Sequence, residues 1–221
     1  MALRSRHSLS VLAFTCWALA CPGTAAADIG ELTGCRKPAY PRQALKRGED
    51  GISLLGFLVR ADGTPVRSIV VDSSGSADLD EETADALMRC RWKPRVGGEG
   101  SAEQWVLIAY WWIVEGDPTL AFAKSQAALG ARKGDVAALY RISRLLEARP
   151  KDDQDRRDSL TMLRSAAEHG YAPAQFALGR RCENGDGMTA DVEEALRWYR
   201  KAADQGDMFA IQRLEKGFLP E

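Results

Sequence analysis

Hydrophobic and polar positions divide the chain into a strand-rich part, residues 28–116, and a helical part, residues 117–221. Three segments of the first part have the β-branched and aromatic composition of strands: 51–60 (GISLLGFLVR), 66–73 (VRSIVVDS) and 103–114 (EQWVLIAYWWIV). The pair Asp62-Gly63 separates the first two, and Gly accepts a positive φ without strain. The pattern therefore predicts a hairpin followed by a third strand.

Two helices are predicted beside these strands. Pro41 suits the first turn of a short helix that begins at Tyr40-Pro41 and ends near Arg47. Capping side chains at residues 76–80 precede an apolar helical stripe, which consists of Leu79, Ala84, Leu87 and Met88. The predicted fold class is α+β, with a three-stranded antiparallel sheet carrying two helices on one face.

The second part repeats itself at a fixed spacing. Similar segments begin at Gly134, Gly170 and Gly206, which are 36 residues apart. Such a period is typical of stacked helical repeats, which usually form binding surfaces. The spacing predicts two full repeats, about 138–173 and 174–209, with half repeats at both ends and about six helices.

The second full repeat has the apolar spacing of two packed helices. Asp191 is placed to cap its second helix, and Gly206 to end that helix in a left-handed conformation. Small or apolar residues recur on one face of each helix and are expected to pack the pair together: Ala174, Leu178 and Cys182 on the first, Ala195, Tyr199 and Ala202 on the second.

Composition and charge narrow the class of protein. The chain of 221 residues is 45% hydrophobic and has a formal net charge of −1, which is typical of a globular protein and argues against a nucleic-acid-binding one. CxxC, HExxH, G-x-S-x-G and phosphate-loop motifs are missing from the sequence. His169, beside a predicted helix end, is best explained by the helix dipole. We therefore expect no enzyme activity, no metal and no cofactor.

The first 27 residues have the pattern of a secretory signal. Arg4 and Arg6 precede an apolar run over residues 9–21, and small residues follow up to Ala27. Three outcomes remain open: cleavage after Ala27, lipidation at Cys21, or a retained N-terminal anchor. Cleavage predicts a periplasmic protein, a retained segment predicts inner-membrane anchoring, and membrane contact is expected only with retention or lipidation.

Residues 35–115 resemble the C-terminal domain of TonB-family proteins. The similarity lies in Tyr40-Pro41, the Asp62-Gly63 turn, Ser73-Ser74-Gly75, Trp92-x-Pro94 and the closing aromatic strand. In that family a segment matching Tyr40-Pro41-Arg42 lies near the contact with outer-membrane receptors, whose peptide is added as a strand. The resemblance implies the same role here, and the alternative is an ordinary helix start.

Residues from about 120 to 221 resemble Sel1-like repeats, which are related to tetratricopeptide repeats. One departure is Cys182, which stands where the family has tyrosine. The matching positions are Ala174, Leu178, Gly179, Gly185, Gly187, Asp191, Ala195, Trp198, Tyr199, Lys201, Ala202, Ala203 and Gly206. Cys182 is expected to be a small buried hydrophobe, with a reactive thiol as the alternative.

Two further hypotheses concern cysteine and tryptophan. In the fold inferred above, Cys35 and Cys90 lie near the rim of the sheet, where a disulfide would add about 4 kcal/mol by the chain-entropy account. Two free thiols are the alternative. Trp105 and Trp111 share one face of the third strand and form either core or a partner-binding surface.

Together these features predict an exported, periplasmic adaptor or scaffold that binds envelope proteins or peptides. Outer-membrane receptor segments are candidate partners, and nucleic acid is not. The alternative is a TonB-type energy transducer anchored by an uncleaved N-terminal segment. Against the transducer, no long Pro-rich spacer lies between the N-terminal segment and Cys35.

Overall fold

The computed structural model describes residues 32–33, 35–92, 103–114, 120–148 and 150–216. The N-terminal segment 1–27 and the predicted boundary at Gly116-Asp117-Pro118 lie outside these residues. The elements of the first part are β1 (Leu32–Thr33), α1 (Arg42–Lys46), β2 (Gly51–Val59), β3 (Pro65–Asp72), α2 (Ala77–Met88), β4 (Arg91–Trp92) and β5 (Gln104–Trp112).

A three-stranded antiparallel sheet in the order β3-β2-β5 organises this part. Strand β2 lies in the centre, and its residues Leu54 and Gly56 stand opposite Ala109 and Leu107 of β5. A second, two-residue ladder joins β1 to β4. The predicted hairpin and third strand are confirmed, whereas the β1–β4 ladder was not foreseen because two-residue strands have no periodicity to detect.

Helices α1 and α2 cover the first face of the sheet. Leu55, Phe57 and Val59 of β2 form one cluster with Val106 and Ile108 of β5 and with side chains of α2 and β4. A neighbouring cluster contains Ala44, Leu79 and Trp112.

The second part consists of six helices in the described residues. They are α3 (Ala121–Arg132), α4 (Val136–Ala148), α5 (Asp153–Glu168), α6 (Ala172–Asn184), α7 (Val192–Ala203) and α8 (Met208–Lys216). Each helix packs on the next along the chain. The fold class, an α+β sheet followed by a helical repeat region, is therefore confirmed.

The helical part also packs against the second face of the sheet, which the sequence did not predict. Ile52 packs with Leu120, Ala123 and Leu145, and Leu54 belongs to the core cluster of the repeats. Because successive strand residues point to opposite faces, β2 is buried between the α1–α2 layer and the repeats. Sheet and repeats therefore share one interior.

Gly56 allows the closest approach between the two parts. A Cβ atom built at Gly56 would lie 2.5 Å from Cζ of Phe209, in α8. Such a separation is well inside van der Waals contact, so a side chain at position 56 would push α8 away from the sheet. The missing side chain of Gly56 is the notch into which Phe209 fits.

Candidate functional site: the outer edge of strand β5

Strand β5 is an edge strand whose outer main chain faces away from β2. Trp105 uses both its N–H and its C=O for bonds to the side chain of Gln212. In an antiparallel pair a residue gives both main-chain groups to its partner or neither, and this alternates along the strand. Since β5 pairs with β2 without a register shift, Leu107 and Ala109 face outward in the same way as Trp105.

Gln212 of α8 occupies the edge at Trp105. Its Oε1 accepts the Trp105 N–H at 2.7 Å, and its Nε2 donates to the Trp105 carbonyl at 3.0 Å. Phe209, one turn earlier, lies edge-on to the Trp105 ring with the centroids 6.1 Å apart. The Arg67 guanidinium lies 5.5 Å from the centroid of the same ring. Trp105 is accordingly buried, with 7% of its surface exposed.

The next part of the edge is open within the described residues. No described residue hydrogen-bonds to the outward main chain of Leu107 or Ala109. The Ala109 side chain is exposed, and Trp111, on the same face, is 38% exposed. An edge strand with unused donors and acceptors is a template for an added strand, and neighbouring side chains then supply selectivity.

Tyr40, at the start of α1, lies near the other end of β5. Its ring packs edge-on against Trp112 at 5.1 Å, and Trp112 packs against Tyr110 at 4.9 Å. The Tyr40 hydroxyl donates to the Glu49 carbonyl. Burial, and then the negative charges of Asp50 and Glu49, raise the pKa of Tyr40 to about 12. Tyr40 is thus continuous with the Trp111 end of the edge, away from Trp105.

Pro41 and Arg42 line a shallow groove of about 320 Å³ between α1 and α2. The opposite wall of the groove is acidic and includes Asp78, Glu82 and Asp85. The structure therefore separates the predicted partner-binding residues: Trp111 and Tyr40 lie at one end of β5, Trp105 lies beneath α8 at the other, and Arg42 borders the groove.

A polar network fixes the loop after α1. Arg47 Nε and Nη2 donate to the two oxygens of Glu49 at 2.5 and 3.0 Å, and Ser76 Oγ donates to Glu49 Oε2 at 2.6 Å. The bonds from Arg47, and then the bond from Ser76, hold the pKa of Glu49 below its usual value against the opposing effect of burial. This network joins the start of β2 to the N-terminus of α2.

A buried carboxylate joins the sheet to the repeats. Asp72, at the end of β3, accepts from Arg141 Nη2 at 3.2 Å and from Arg144 Nη1 at 2.7 Å. The Asp72 side chain is fully buried. Burial raises the pKa of Asp72, and the two guanidinium groups of α4 oppose that rise. Sequence analysis missed this set, since the partners lie about 70 residues apart.

Two further hydrogen bonds cross the same interface. Asp50 Oδ1 accepts the Ala123 N–H at 2.9 Å, in the first turn of α3. The Tyr171 hydroxyl, just before α6, donates to the Val71 carbonyl of β3 at 3.3 Å. Side chains from α8 and from the start of α6 therefore bond to the main chain of both edge strands of the sheet.

The repeat residues singled out from the sequence lie between α6 and α7. Asp191 Oδ1 accepts the Glu194 N–H at 2.9 Å, and Gly206 has φ +83°. Tyr199 packs on Gly179 and donates to Glu183 at 2.6 Å. Six of the predicted packing residues are buried: Ala174, Leu178, Cys182, Ala195, Tyr199 and Ala202.

The three cysteines of the described residues differ in state. Cys35 and Cys90 form a disulfide with their Cα atoms 4.6 Å apart. Cys182 is a free, buried cysteine whose Sγ lies 3.6 Å from the Met188 sulfur. Burial, and then the charge of Glu194, raise the pKa of the Cys182 thiol to about 11. At neutral pH Cys182 is therefore a thiol and not the nucleophilic thiolate.

Searches for a metal site and a membrane span cover the described ranges only. In that part of the chain no three His, Cys, Asp or Glu side chains are grouped so that they could hold a metal ion. Within the same ranges, no helix is both long enough and apolar enough to cross a bilayer.

These features define a class: an α+β module with an open sheet edge, whose second face is covered by helical repeats. Comparison with known families agrees. The family "Gram-negative bacterial TonB protein C-terminal" matches residues 36–111, and "Sel1 repeat" matches residues 172–207. The chain therefore carries a TonB C-terminal segment followed by a Sel1 repeat.

Individual proteins match shorter stretches. The chitin synthase regulator SKT5 of Saccharomyces cerevisiae is 38% identical over 92 residues, which are 41% of this chain and 13% of that protein. Protein tonB2 of Pseudomonas aeruginosa is 35% identical over 71 residues, 32% of this chain and 26% of that protein. The chain thus spans no more than about a quarter of the curated relatives it matches.

One solved structure is also similar. The solution structure of the Pseudomonas aeruginosa TonB C-terminal domain shares 28% identity, with a TM-score of 0.34. The match covers 40% of this chain and 89% of that chain.

Proposed function

We propose that this protein is an exported, periplasmic adaptor that binds an extended peptide segment of an envelope protein by strand addition to β5. The open main chain at Leu107 and Ala109, beside the exposed Trp111, is the observation that supports this function most directly. The match to the TonB C-terminal family and the repeat module add support for a protein-binding role.

Removing one outward donor tests strand addition. Ala109→Pro deletes an N–H that faces away from β2, and proline is tolerated on edge strands. Ala109→Ser keeps the donor at the same exposed position and is the matched control. The probe is a ten-residue peptide selected from a displayed random library against the full chain and checked for protection of the β5 amides.

We expect Ala109→Pro to weaken probe binding about tenfold, since one main-chain bond and part of the strand register are lost, and Ala109→Ser to leave it unchanged. Amide exchange of the β2–β5 ladder checks that both variants remain folded. Equal binding by the two variants would refute strand addition at this edge.

A TonB-type energy transducer is the second candidate, favoured by the similarity to Protein tonB2. The mature N-terminus separates the two functions. Mass spectrometry that finds Asp28 as the first residue in the soluble periplasmic fraction would support the adaptor. Met1 retained in the inner-membrane fraction would support the transducer.

A further inference from the structure

Gln212 holds a substitute peptide group against the edge of β5. A glutamine side chain ends in an amide, with the same carbonyl acceptor and N–H donor as the main chain. Both groups bond to Trp105, the acceptor at 2.7 Å and the donor at 3.0 Å. The arrangement at Trp105 is therefore what a peptide strand would supply at this position, provided by the chain's own helix α8.

The support behind Gln212 is firm, whereas Gln212 itself is accessible. Phe209 and Ala210 of the same helix are buried, with exposed fractions of 7% and 0%, and Phe209 fills the notch at Gly56. Gln212 is only partly buried. The side chain can therefore leave the edge by rotating about its own bonds while α8 stays docked, which makes displacement cheaper than moving the helix.

The position of Gln212 limits the length of a strand that the edge accepts. Trp105, Leu107 and Ala109 present outward main chain at every second residue, a spacing of roughly 7 Å. With Gln212 in place, an incoming strand pairs at Leu107 and Ala109 and stops before Trp105. Once Gln212 withdraws, the strand gains the two main-chain bonds of Trp105.

We propose that Gln212 gates the β5 edge, so that an extended peptide long enough to reach Trp105 binds in competition with the Gln212 side chain. This inference rests on the proposed strand-acceptor function. It adds to it a chemical definition of the long-strand ligand: a peptide whose main chain, at the residue facing Trp105, offers both an N–H and a C=O. Proline at that residue is excluded.

The test compares Gln212→Ala with Gln126→Ala, a matched exposed glutamine in α3. The probe is a ten-residue peptide selected from a displayed random library against the Gln212→Ala full chain, together with its five-residue truncation that pairs only at Leu107 and Ala109. We expect the long probe to bind Gln212→Ala about tenfold more tightly than the wild type or Gln126→Ala. The truncation should bind all three equally.

Amide exchange provides the second measurement. In the free protein, Gln212→Ala should speed exchange of the Trp105 amide and leave the β2–β5 ladder unchanged. Gln212→Glu, which keeps the size of the side chain but loses the donor, should also bind the long probe more tightly than the wild type.

The possible failures are distinct. If the long probe protects the Trp105 amide and binds the wild type and Gln212→Ala equally, the gate is refuted and the strand-acceptor function stands. If no selected peptide protects any β5 amide in either protein, the strand-acceptor function is refuted, and the gate with it.

Discussion

Glu49 shows how single side chains hold the sheet module together. Its carboxylate accepts two bonds from Arg47 and one from Ser76, and its side chain is 11% exposed. The loop between α1 and β2 thereby acquires a fixed geometry without a hydrophobic core of its own. Tyr40 donates to the main chain of the same residue, so the start of the α1 region is fixed by the same contact.

The protonation of Glu49 predicts a pH-dependent stability. Because Arg47 and Ser76 hold the pKa of Glu49 below its usual 4.5, the ionised form favours the folded state. This contribution is complete above the pKa of the unfolded chain and is lost as the pH falls through the lower pKa of the folded state. Glu49→Gln should therefore destabilise the protein near neutral pH and much less at about pH 3.

Urea unfolding of both proteins across this pH range measures the difference in the free energy of unfolding. Glu81→Gln, at an exposed position of α2, is the control and should follow the wild type. A gap between wild type and Glu49→Gln that stays constant with pH would contradict the assignment.

At the level of elements, helix ends in the repeats are defined by polar caps. Asp191 accepts from the N–H of Glu194 and begins α7, and Asp152 accepts from Gln154 and Asp155 and begins α5. The caps occupy equivalent places 39 residues apart and satisfy donors that the first turn of a helix leaves unpaired. Each cap fixes the entry of the second helix in its pair.

Removing the cap of α7 predicts a moderate loss. Asp191→Ala should lower the free energy of unfolding by about 1 kcal/mol, and Asp191→Asn should restore most of it because Asn caps equally well. Glu193→Ala, in the same first turn, is the control for loss of negative charge alone. An Asp191→Ala protein as stable as Glu193→Ala would contradict a capping role.

Strands and helices were predictable from the sequence, but their assembly was not. Composition and turn residues suffice for β2, β3, β5 and the repeats, since each signal is local. The pairing of Asp72 with Arg144 depends on contacts far apart in the chain, which periodicity does not report. One signal was present: glycine inside a strand, here Gly56, often marks a close approach of another segment.

The candidate site was predictable only in part. Aromatic residues of the third strand were recognised, including Trp105 and Trp111, yet their different exposure follows from where α8 lies. Gln212 is one polar residue in an amphipathic helix, and nothing local distinguishes it from other glutamines. Its role is visible only once the outward main chain of Trp105 is in view.

At the scale of the whole molecule, sheet and repeats form one unit. Apolar contacts at Ile52, Leu54 and Gly56 are combined with the bonds that Asp72 accepts from Arg141 and Arg144. Because the interface contains both core and buried ions, we expect the two parts to unfold together.

Asp72 provides the test. Asp72→Asn leaves two guanidinium groups at a buried interface without their carboxylate, and should lower the free energy of unfolding by about 3 kcal/mol. Asp78→Asn, which breaks the more exposed pair with Arg47, should cost less than about 1 kcal/mol. Calorimetry that resolves separate transitions for sheet and repeats in the wild type would contradict a single cooperative unit.

The notch at Gly56 has a consequence for how this architecture arose and how it can be re-engineered. A sheet module cut out alone would expose Ile52, Leu54 and Leu107 to water, and the repeats alone would expose Phe209. Neither half is therefore a portable cassette. Grafting one onto another protein requires either redesign of the abandoned surface or transfer of its counterpart in the same step.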